Sequence, residues 1–167
     1  MKDDRAIADY SRAEFDALRS RLMDARDTLR AGNRLLQSVA RAYYVVYVTA
    51  SYAAGKHGVK ATHWRGRKEI VDQKFSHNEF VDVVWALYTG NKRGNVQHPG
   101  GSPGPTSAHY NGTEAYQQAN KLYHIRVEAD YGASLCVEPY TRDRIDELLK
   151  TATKLTEDLE RLLCSYP

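Results

Sequence analysis

The stretch that most restricts the fold of this chain is residues 33–54, which contains no glycine or proline. Its centre is rich in tyrosine and valine, which favour strands by propensity. The stretch is nevertheless too long for a typical strand. Apolar and aromatic side chains recur within it at helical spacing, at Leu36, Val39, Tyr43, Tyr47 and Ala50. We therefore predict one long helix that is capped by Asn33 and runs to Gly55.

A second amphipathic helix is predicted ahead of this one. Ser11 and Glu14 have the spacing of a capping box, in which the serine oxygen accepts a backbone amide and the glutamate reaches back. The apolar stripe that follows is Phe15, Leu18, Leu22, Ala25 and Leu29. We predict that Gly32 ends this helix, because glycine adopts the left-handed conformation at low cost.

Two shorter helices are predicted in the middle of the chain. Thr62 is expected to cap a helix that extends to Phe75. Its inward side chains are predicted to be Trp64, Val71 and Phe75. Ser76 and Glu79 form a second capping box, which opens a helix closed by Gly90. The apolar stripe of that helix is Phe80, Val84, Leu87 and Tyr88.

The C-terminal half is predicted to contain a long loop and two helices. Residues 90–112 are rich in glycine, proline and asparagine, so we predict a flexible loop insertion there. A helix starting at residues 111–114 and stopped by Gly132 carries one face of Ala115, Ala119, Leu122, Arg126 and Ala129. After a connection through residues 138–139, Thr141 caps the last helix. Its stripe is Ile145, Leu148, Ala152, Leu155, Leu159 and Leu162.

The predicted fold is an all-α antiparallel bundle of four to five main helices with a long Gly/Pro-rich loop, in one domain over residues 1–167. The chain of 167 residues is 42% hydrophobic and 27% charged, as in soluble globular proteins. No apolar run approaches the ~20 residues of a membrane span, and no signal peptide opens the sequence. Cys136 and Cys164 lack metal-ligand spacing, so we predict a reduced, cytoplasmic protein.

The sequence YHIRVEADYG, residues 123–132, places two opposite charges on what is predicted to be a buried helix face. Arg126 and Asp130 lie four residues apart, which is one helical turn. One interpretation is an intrahelical ion pair with a structural role only. The other is that Asp130 orients Arg126 toward a phosphate group.

A cluster of cations follows the long helix. Its members are Lys60, Arg65, Arg67 and Lys68, with His63 and Trp64 among them. The cluster is either a solvated face or a strip that binds nucleic-acid phosphates, with an aromatic ring available for base stacking. The net charge of +3 permits a nucleic-acid partner without requiring one. Lys92 and Arg93 are candidates to extend the strip.

Several kinds of site are not indicated by the sequence. The six histidines show no metal-ligand spacing, and we predict no metal or cofactor. No glycine-rich phosphate loop follows a predicted strand, and there is no nucleophile elbow. His124 lies two residues from Arg126, so a helix places it on a different face.

Four segments, taken in order, resemble the HEPN superfamily (higher eukaryotes and prokaryotes nucleotide-binding), most closely its small bacterial members with an R-x-x-A-D-Y motif. They are residues 41–44 (RAYY), the region around His63, residues 126–131 (RVEADY) and the C-terminal amphipathic helix. The resemblance spans residues 11–163 and treats the loop as an insertion. It implies a helical bundle that usually forms a homodimer, with the motif arginine facing its symmetry mate.

The resemblance also implies an RNA- or nucleotide-related role. Many relatives are metal-independent endoribonucleases of toxin–antitoxin, CRISPR or other antiphage systems. Their motif is an arginine, then about four to six intervening residues, then a histidine; the arginine stabilises phosphorane charge and the histidine acts as a base. Here Arg126 matches the motif arginine, but Tyr131 stands where the histidine is expected, and tyrosine has an ordinary pKa of about 10.

The resemblance therefore leaves three functions open. The first is an endoribonuclease in which Arg126 stabilises transition-state charge and Asp130, Tyr131 or His63 assists, with His63 as one candidate for the base. The second is a non-catalytic binding subunit that partners a nucleotidyltransferase antitoxin or a larger defence complex. The third is an interaction scaffold that acts through packing of its helices. No membrane partner is expected.

Overall fold

The computed structural model describes residues 5–99, 108–131 and 140–164, and the chain is mostly helical with a small antiparallel sheet. A single 3-10 turn, Ile7–Asp9, precedes the main elements. The helices are α1 (Arg12–Ala31), α2 (Leu35–Lys56), α3 (Phe80–Thr89), α4 (Ala108–Tyr131) and α5 (Arg142–Cys164). The strands are β1 (Lys60–Arg65), β2 (Lys68–Asp72) and β3 (Val96–Gln97). The predicted helical bundle is thus present, but the prediction of a fold without strands is wrong.

Helix α2 is the centre of the bundle and packs against α1, α3, α4 and α5. The prediction of one long helix in this stretch is confirmed. Val39, Tyr43 and Val46 on this helix are completely buried. The predicted cap is wrong, because Arg34 occupies the N-cap position without a side-chain hydrogen bond. Asn33 instead adopts the left-handed conformation, with φ of 57°.

The capping box of α1 forms as predicted. The Glu14 amide donates to the Ser11 Oγ at 3.2 Å, and the Ser11 amide donates to the Glu14 carboxylate at 2.8 Å. The predicted end of the helix is only half right. Gly32 is the C-cap residue, but its φ is −76°. The left-handed turn between α1 and α2 falls on Asn33, a residue that tolerates this conformation better than most.

The second capping box forms only in part. The Glu79 carboxylate accepts hydrogen bonds from the Ser76 amide at 2.7 Å and from the Ser76 hydroxyl at 2.9 Å. Residues 77–79 form a turn, and α3 begins only at Phe80. Gly90, with φ of 66°, closes α3 as predicted.

A β-hairpin occupies the region where a helix over residues 62–75 was predicted. Strands β1 and β2 pair antiparallel around a two-residue turn, in which Gly66 has a positive φ of 63°. Glycine at the first turn position is typical of the tight hairpin turn that matches strand twist. Trp64 and Val71 are 65% and 53% exposed rather than inward, while Phe75 is buried as predicted.

Two parts of the predicted loop, residues 90–112, have regular secondary structure: strand β3 and the first turn of α4. Strand β3 pairs with β1, so the sheet has the order β2-β1-β3. The Arg93 guanidinium lies 3.7 Å from the ring centre of Tyr116 and 4.8 Å from that of Trp85, which fastens this segment to α3 and α4. Helix α4 begins at Ala108, and residues 100–107 lie outside the described part of the chain.

Helix α5 matches its prediction closely. The Thr141 Oγ1 accepts a hydrogen bond from the Arg144 amide at 3.3 Å, and every residue of the predicted stripe is buried. The predicted stop at Gly132, the connection through residues 138–139 and Cys136 all lie outside the described residues. Cys164 is an exposed free thiol. Within the described ranges, none of the helices has both the length and the hydrophobicity to cross a membrane.

Gly55 of α2 lies against Ala8 of the 3-10 turn, and this contact gives a prediction about stability. A Cβ atom at this position would lie 2.5 Å from the Ala8 Cβ and 2.8 Å from the Ala8 Cα. We expect Gly55→Ala to lower the free energy of unfolding by about 1–2 kcal/mol, because overpacking outweighs the better helix propensity of alanine. Urea denaturation followed by circular dichroism measures this change.

Gly32→Ala is the matched control for this prediction. A Cβ atom at Gly32 would meet its nearest neighbour, the Thr28 carbonyl oxygen, at an ordinary 3.4 Å. We expect a neutral or slightly stabilising change there. Equal stability of the two variants would contradict the proposed steric role of Gly55.

Candidate functional site

Arg126 lies in the last two turns of α4, at the surface that this helix buries against α2 and α3. Only 8% of the residue is exposed, which is unusual for an arginine. A buried guanidinium is tolerated only when its charge and its donors have partners. The contacts of this side chain therefore define the site.

Arg126, Asp130 and Tyr44 form a closed set of hydrogen bonds. The Arg126 Nε lies 2.8 Å from the Asp130 Oδ2, so the predicted ion pair is present. The Tyr44 hydroxyl accepts from the Arg126 Nε at 3.1 Å and from its Nη2 at 2.9 Å. The same hydroxyl donates to the Asp130 Oδ2 at 3.0 Å. The Tyr44 hydroxyl thus hydrogen-bonds to both charged side chains and fixes the plane of the guanidinium.

These contacts keep Arg126 charged. Burial works to lower the pKa of Arg126, but the hydrogen bonds from its guanidinium to Tyr44 and the nearby Asp130 carboxylate outweigh it and raise the pKa above its ordinary value. Within the described ranges, the bonds of this guanidinium are made through Nε and Nη2. The Nη1 amino group therefore remains able to donate to an anion.

Two more side chains lie at the edge of the site, Tyr131 next to the Arg126 guanidinium and Arg41 next to the Tyr44 ring. The Tyr131 ring centre is 5.4 Å from the Arg126 Cζ, and Tyr131 is 71% exposed. The exposed Arg41 has its guanidinium carbon 5.7 Å from the Tyr44 ring centre. Because Asp130 offsets the charge of Arg126, Arg41 supplies a second positive charge at the rim of the site.

His77 is a site residue that the sequence analysis did not identify. It lies in the turn before α3, and its ring centre is 5.4 Å from that of Tyr44 in an edge-to-face arrangement. Its Nδ1 forms a 2.8 Å hydrogen bond with the Tyr43 hydroxyl. Tyr44 thus contacts both His77 and Arg126. No sequence spacing indicates this pairing, since His77 lies within a capping motif far from Arg126.

The surroundings of His77 favour its neutral form. Burial lowers the pKa of His77, the positive charge of Arg126 lowers it further, and Asp130 opposes them. The Tyr43 phenol is completely buried, and that burial raises its pKa, so it stays protonated. The direction of the bond between the Tyr43 hydroxyl and the His77 Nδ1 depends on the histidine tautomer. In the tautomer that carries its proton on Nδ1, the Nε2 presents a lone pair for a substrate proton.

His63, the histidine that the sequence suggests as a candidate base, lies in the hairpin with different partners. Its Nε2 is 3.1 Å from the Asp72 Oδ1, and its Nδ1 is 3.2 Å from the Glu79 Oε1. Both ring nitrogens are therefore engaged by carboxylates. His63 is connected to the site only indirectly, through Glu79 in the turn that also carries His77.

The predicted nucleic-acid-binding cations lie on the hairpin and are all exposed: Lys60, Arg65, Arg67 and Lys68. Arg93, which was a candidate to extend this strip, packs on two aromatic rings and lies 3.8 Å from the Asp82 carboxylate. It is therefore a structural residue. His124 is exposed and lines a groove of about 630 Å³ between α4 and α5, in agreement with its predicted separation from Arg126.

The part of the chain that the structure describes contains no group of three or more His, Cys, Asp or Glu side chains suited to hold a metal ion. No protein-family model, curated protein or solved structure matches this chain. The site is thus defined by its own geometry: a buried, fixed cation beside a half-buried neutral histidine.

The shared hydroxyl of Tyr44 gives a prediction about stability. Tyr44→Phe removes the acceptor of the Arg126 Nη2 and a donor to Asp130. We expect the free energy of unfolding to fall by about 1.5 kcal/mol, as for hydrogen bonds to charged groups. Tyr131→Phe, at an exposed phenol, should change it by less than about 0.5 kcal/mol. Chemical denaturation of both variants makes the comparison, and equal costs would argue against the role given to Tyr44.

Proposed function

We propose that the site around Arg126 binds a phosphate of an RNA chain and cleaves the chain without a metal ion. The observation that carries this proposal is that Arg126 and His77 both contact one tyrosine: the Tyr44 ring centre lies 5.5 Å from the Arg126 Cζ and 5.4 Å from the His77 ring centre. A fixed cation and a neutral imidazole are the two groups that metal-free RNA cleavage requires. The absence of a histidine five residues after Arg126 is then no obstacle, because His77 supplies the base from another element.

The chemistry follows from these two groups. The Nε2 of His77 takes the proton of a 2′-hydroxyl, whose oxygen attacks the adjacent phosphorus. The bond from phosphorus to the 5′ oxygen breaks, and that oxygen takes up a proton from solvent water as it leaves. The products are a 2′,3′-cyclic phosphate and a 5′-hydroxyl end. Arg126, through Nη1, and Arg41 stabilise the charge that develops on the non-bridging oxygens.

The resemblance to the HEPN superfamily gives this activity a biological setting. We propose that the protein is a HEPN-like effector of a bacterial defence or toxin–antitoxin system that acts in the cytoplasm. A homodimer would bring two Arg126 sites together at one cleft. The mostly helical bundle and the position of the R-x-x-A-D-Y motif at the end of α4 support this proposal.

A second candidate function is supported by the exposure of Tyr131. Its phenol lies at the end of α4 next to a cation, where a nucleotidyltransferase partner could reach it. In that case the protein is a non-catalytic subunit whose tyrosine is modified by the partner. Asp130 then serves to orient Arg126 beside the modified phenol.

Cleavage of total RNA in the presence of EDTA tests the proposed activity. We expect Arg126→Ala to reduce the cleavage rate about 10²- to 10³-fold, and His77→Ala to reduce it about 10²- to 10⁴-fold. Arg126→Lys keeps the charge but loses the planar set of guanidinium donors, so it should be little more active than Arg126→Ala. His124→Ala is the matched histidine control and should retain full activity. Cleavage that is equal in Arg126→Ala and the unmodified protein would refute the proposal.

The surroundings of His77 predict the pH dependence of cleavage. The pKa of His77 is lowered from the ordinary value of 6.5, and its base form is populated as the pH rises through that pKa. The rate should therefore rise with pH below 6.5 and be level across neutral pH. A profile of kcat/KM between acid and neutral pH measures this. A rate that still increases above neutral pH would assign the base to another group.

A further inference from the structure

The outer face of the β1–β2 hairpin is an exposed apolar and basic surface. Opposite residues of a sheet share a face, and Thr62 pairs with Val71 while Trp64 pairs with Glu69. This face therefore carries Trp64 and Val71, which are diagonal neighbours and are 65% and 53% exposed. Exposed aromatic and aliphatic groups that adjoin in this way mark surfaces used for binding.

The charge around this face identifies its partner. Lys60 lies on the same face as Trp64, and the tip adds the exposed cations Arg65, Arg67 and Lys68. Glu69 is the anion opposite Trp64 on this face. Arg65 and Lys68 pair with each other, so they lie at the tip on the other face of the hairpin from Trp64. A solvent-facing indole on a hairpin that carries four cations complements a polyanion whose bases present flat faces, as single-stranded nucleic acid does.

The edge of the sheet argues against a second copy of the chain that pairs with β2 as an additional strand. Strand β2 is an edge strand, since the sheet order is β2-β1-β3. It carries charged side chains at Lys68, Glu69 and Asp72. Charged residues on an edge strand oppose pairing with another strand.

We propose that the β1–β2 hairpin is a docking arm for single-stranded RNA, in which Trp64 stacks on a base while Lys60 and the tip cations bind the backbone. The choice of RNA rests on the proposed function of the Arg126 site. The contact between the His63 Nδ1 and the Glu79 Oε1, at 3.2 Å, fastens the hairpin to the turn that carries His77. A strand bound on the arm is thus held at a fixed position relative to the proposed base.

The two tryptophans of the chain make a direct test possible. In a Trp85→Phe background, Trp64 is the remaining indole and reports on its own environment. Oligouridylate of about 20 nucleotides, long enough to cover an aromatic and basic surface of this kind, should quench its fluorescence on titration. An RNA duplex of equal length should compete weakly, because its bases are already stacked on each other.

Variants of the hairpin complete the test. Trp64→Ala should weaken binding about tenfold to a hundredfold, and Trp64→Phe should restore part of it because a flat ring is retained. Each of Lys60→Ala and Arg67→Ala should reduce the slope of log K against log salt by about 0.7. Unchanged fluorescence, or equal affinity of Trp64→Ala and the unmodified protein, would overturn the proposal. Loss of a dimer in Trp64→Ala with no change in RNA affinity would overturn it too, in favour of a second copy on this face.

The test separates this inference from the proposed cleavage activity. Cleavage by the unmodified protein is scored on the dinucleotide UpA, which is too short to span two sites. Cleavage of UpA with no effect of Trp64 on oligouridylate affinity would refute the docking arm alone. Quenching of Trp64 by oligouridylate, with no cleavage of any RNA, would support the arm and refute the proposed activity.

Discussion

Packing of α2 among four other helices is the constraint on which the site depends. Because α1, α3, α4 and α5 all contact this helix, its rotation about its own axis is fixed, and so are the directions of its side chains. Consecutive residues of a helix point about 100° apart. Tyr43 and Tyr44 therefore carry their hydroxyls to different partners: the first reaches His77 on the turn before α3, and the second reaches Arg126 on α4. One buried helix thus sets the positions of two groups that come from separate parts of the chain.

Helical periodicity was sufficient to predict most of the bundle but not the hairpin. The stripe of α5 has regular three- and four-residue spacing, and its long run of aliphatic residues leaves no competing interpretation. In residues 62–75 the apolar residues are sparse, and Trp64 and Val71 were assigned to a buried helix face although both are exposed. The informative signal was local: Gly66 and Arg67 separate two short runs with strand-like residues, as a tight turn does. A large apolar residue is weak proof of burial when its neighbours are charged.

The site residues also differ in how far the sequence could predict them. Some are indicated by local spacing, and others depend on tertiary contacts. Arg126 and Asp130 are one turn apart on a single helix, so spacing alone indicates their ion pair. The roles of Tyr44 and His77 depend on packing between helices, and no spacing in the sequence records it. The histidine that sequence reasoning selected instead, His63, is engaged by two carboxylates in the hairpin. Site residues that meet only through tertiary contacts could be identified only from the structure.

The contacts of Glu79 restrict which amino-acid substitutions this protein can accept during evolution. One carboxylate accepts two hydrogen bonds from Ser76 and also contacts His63. Substitution at any of these three positions alters what the other two must satisfy, so their effects on fitness should not be independent. We expect positions 63, 76 and 79 to covary among homologous sequences, because their side chains together connect the sheet to the helices.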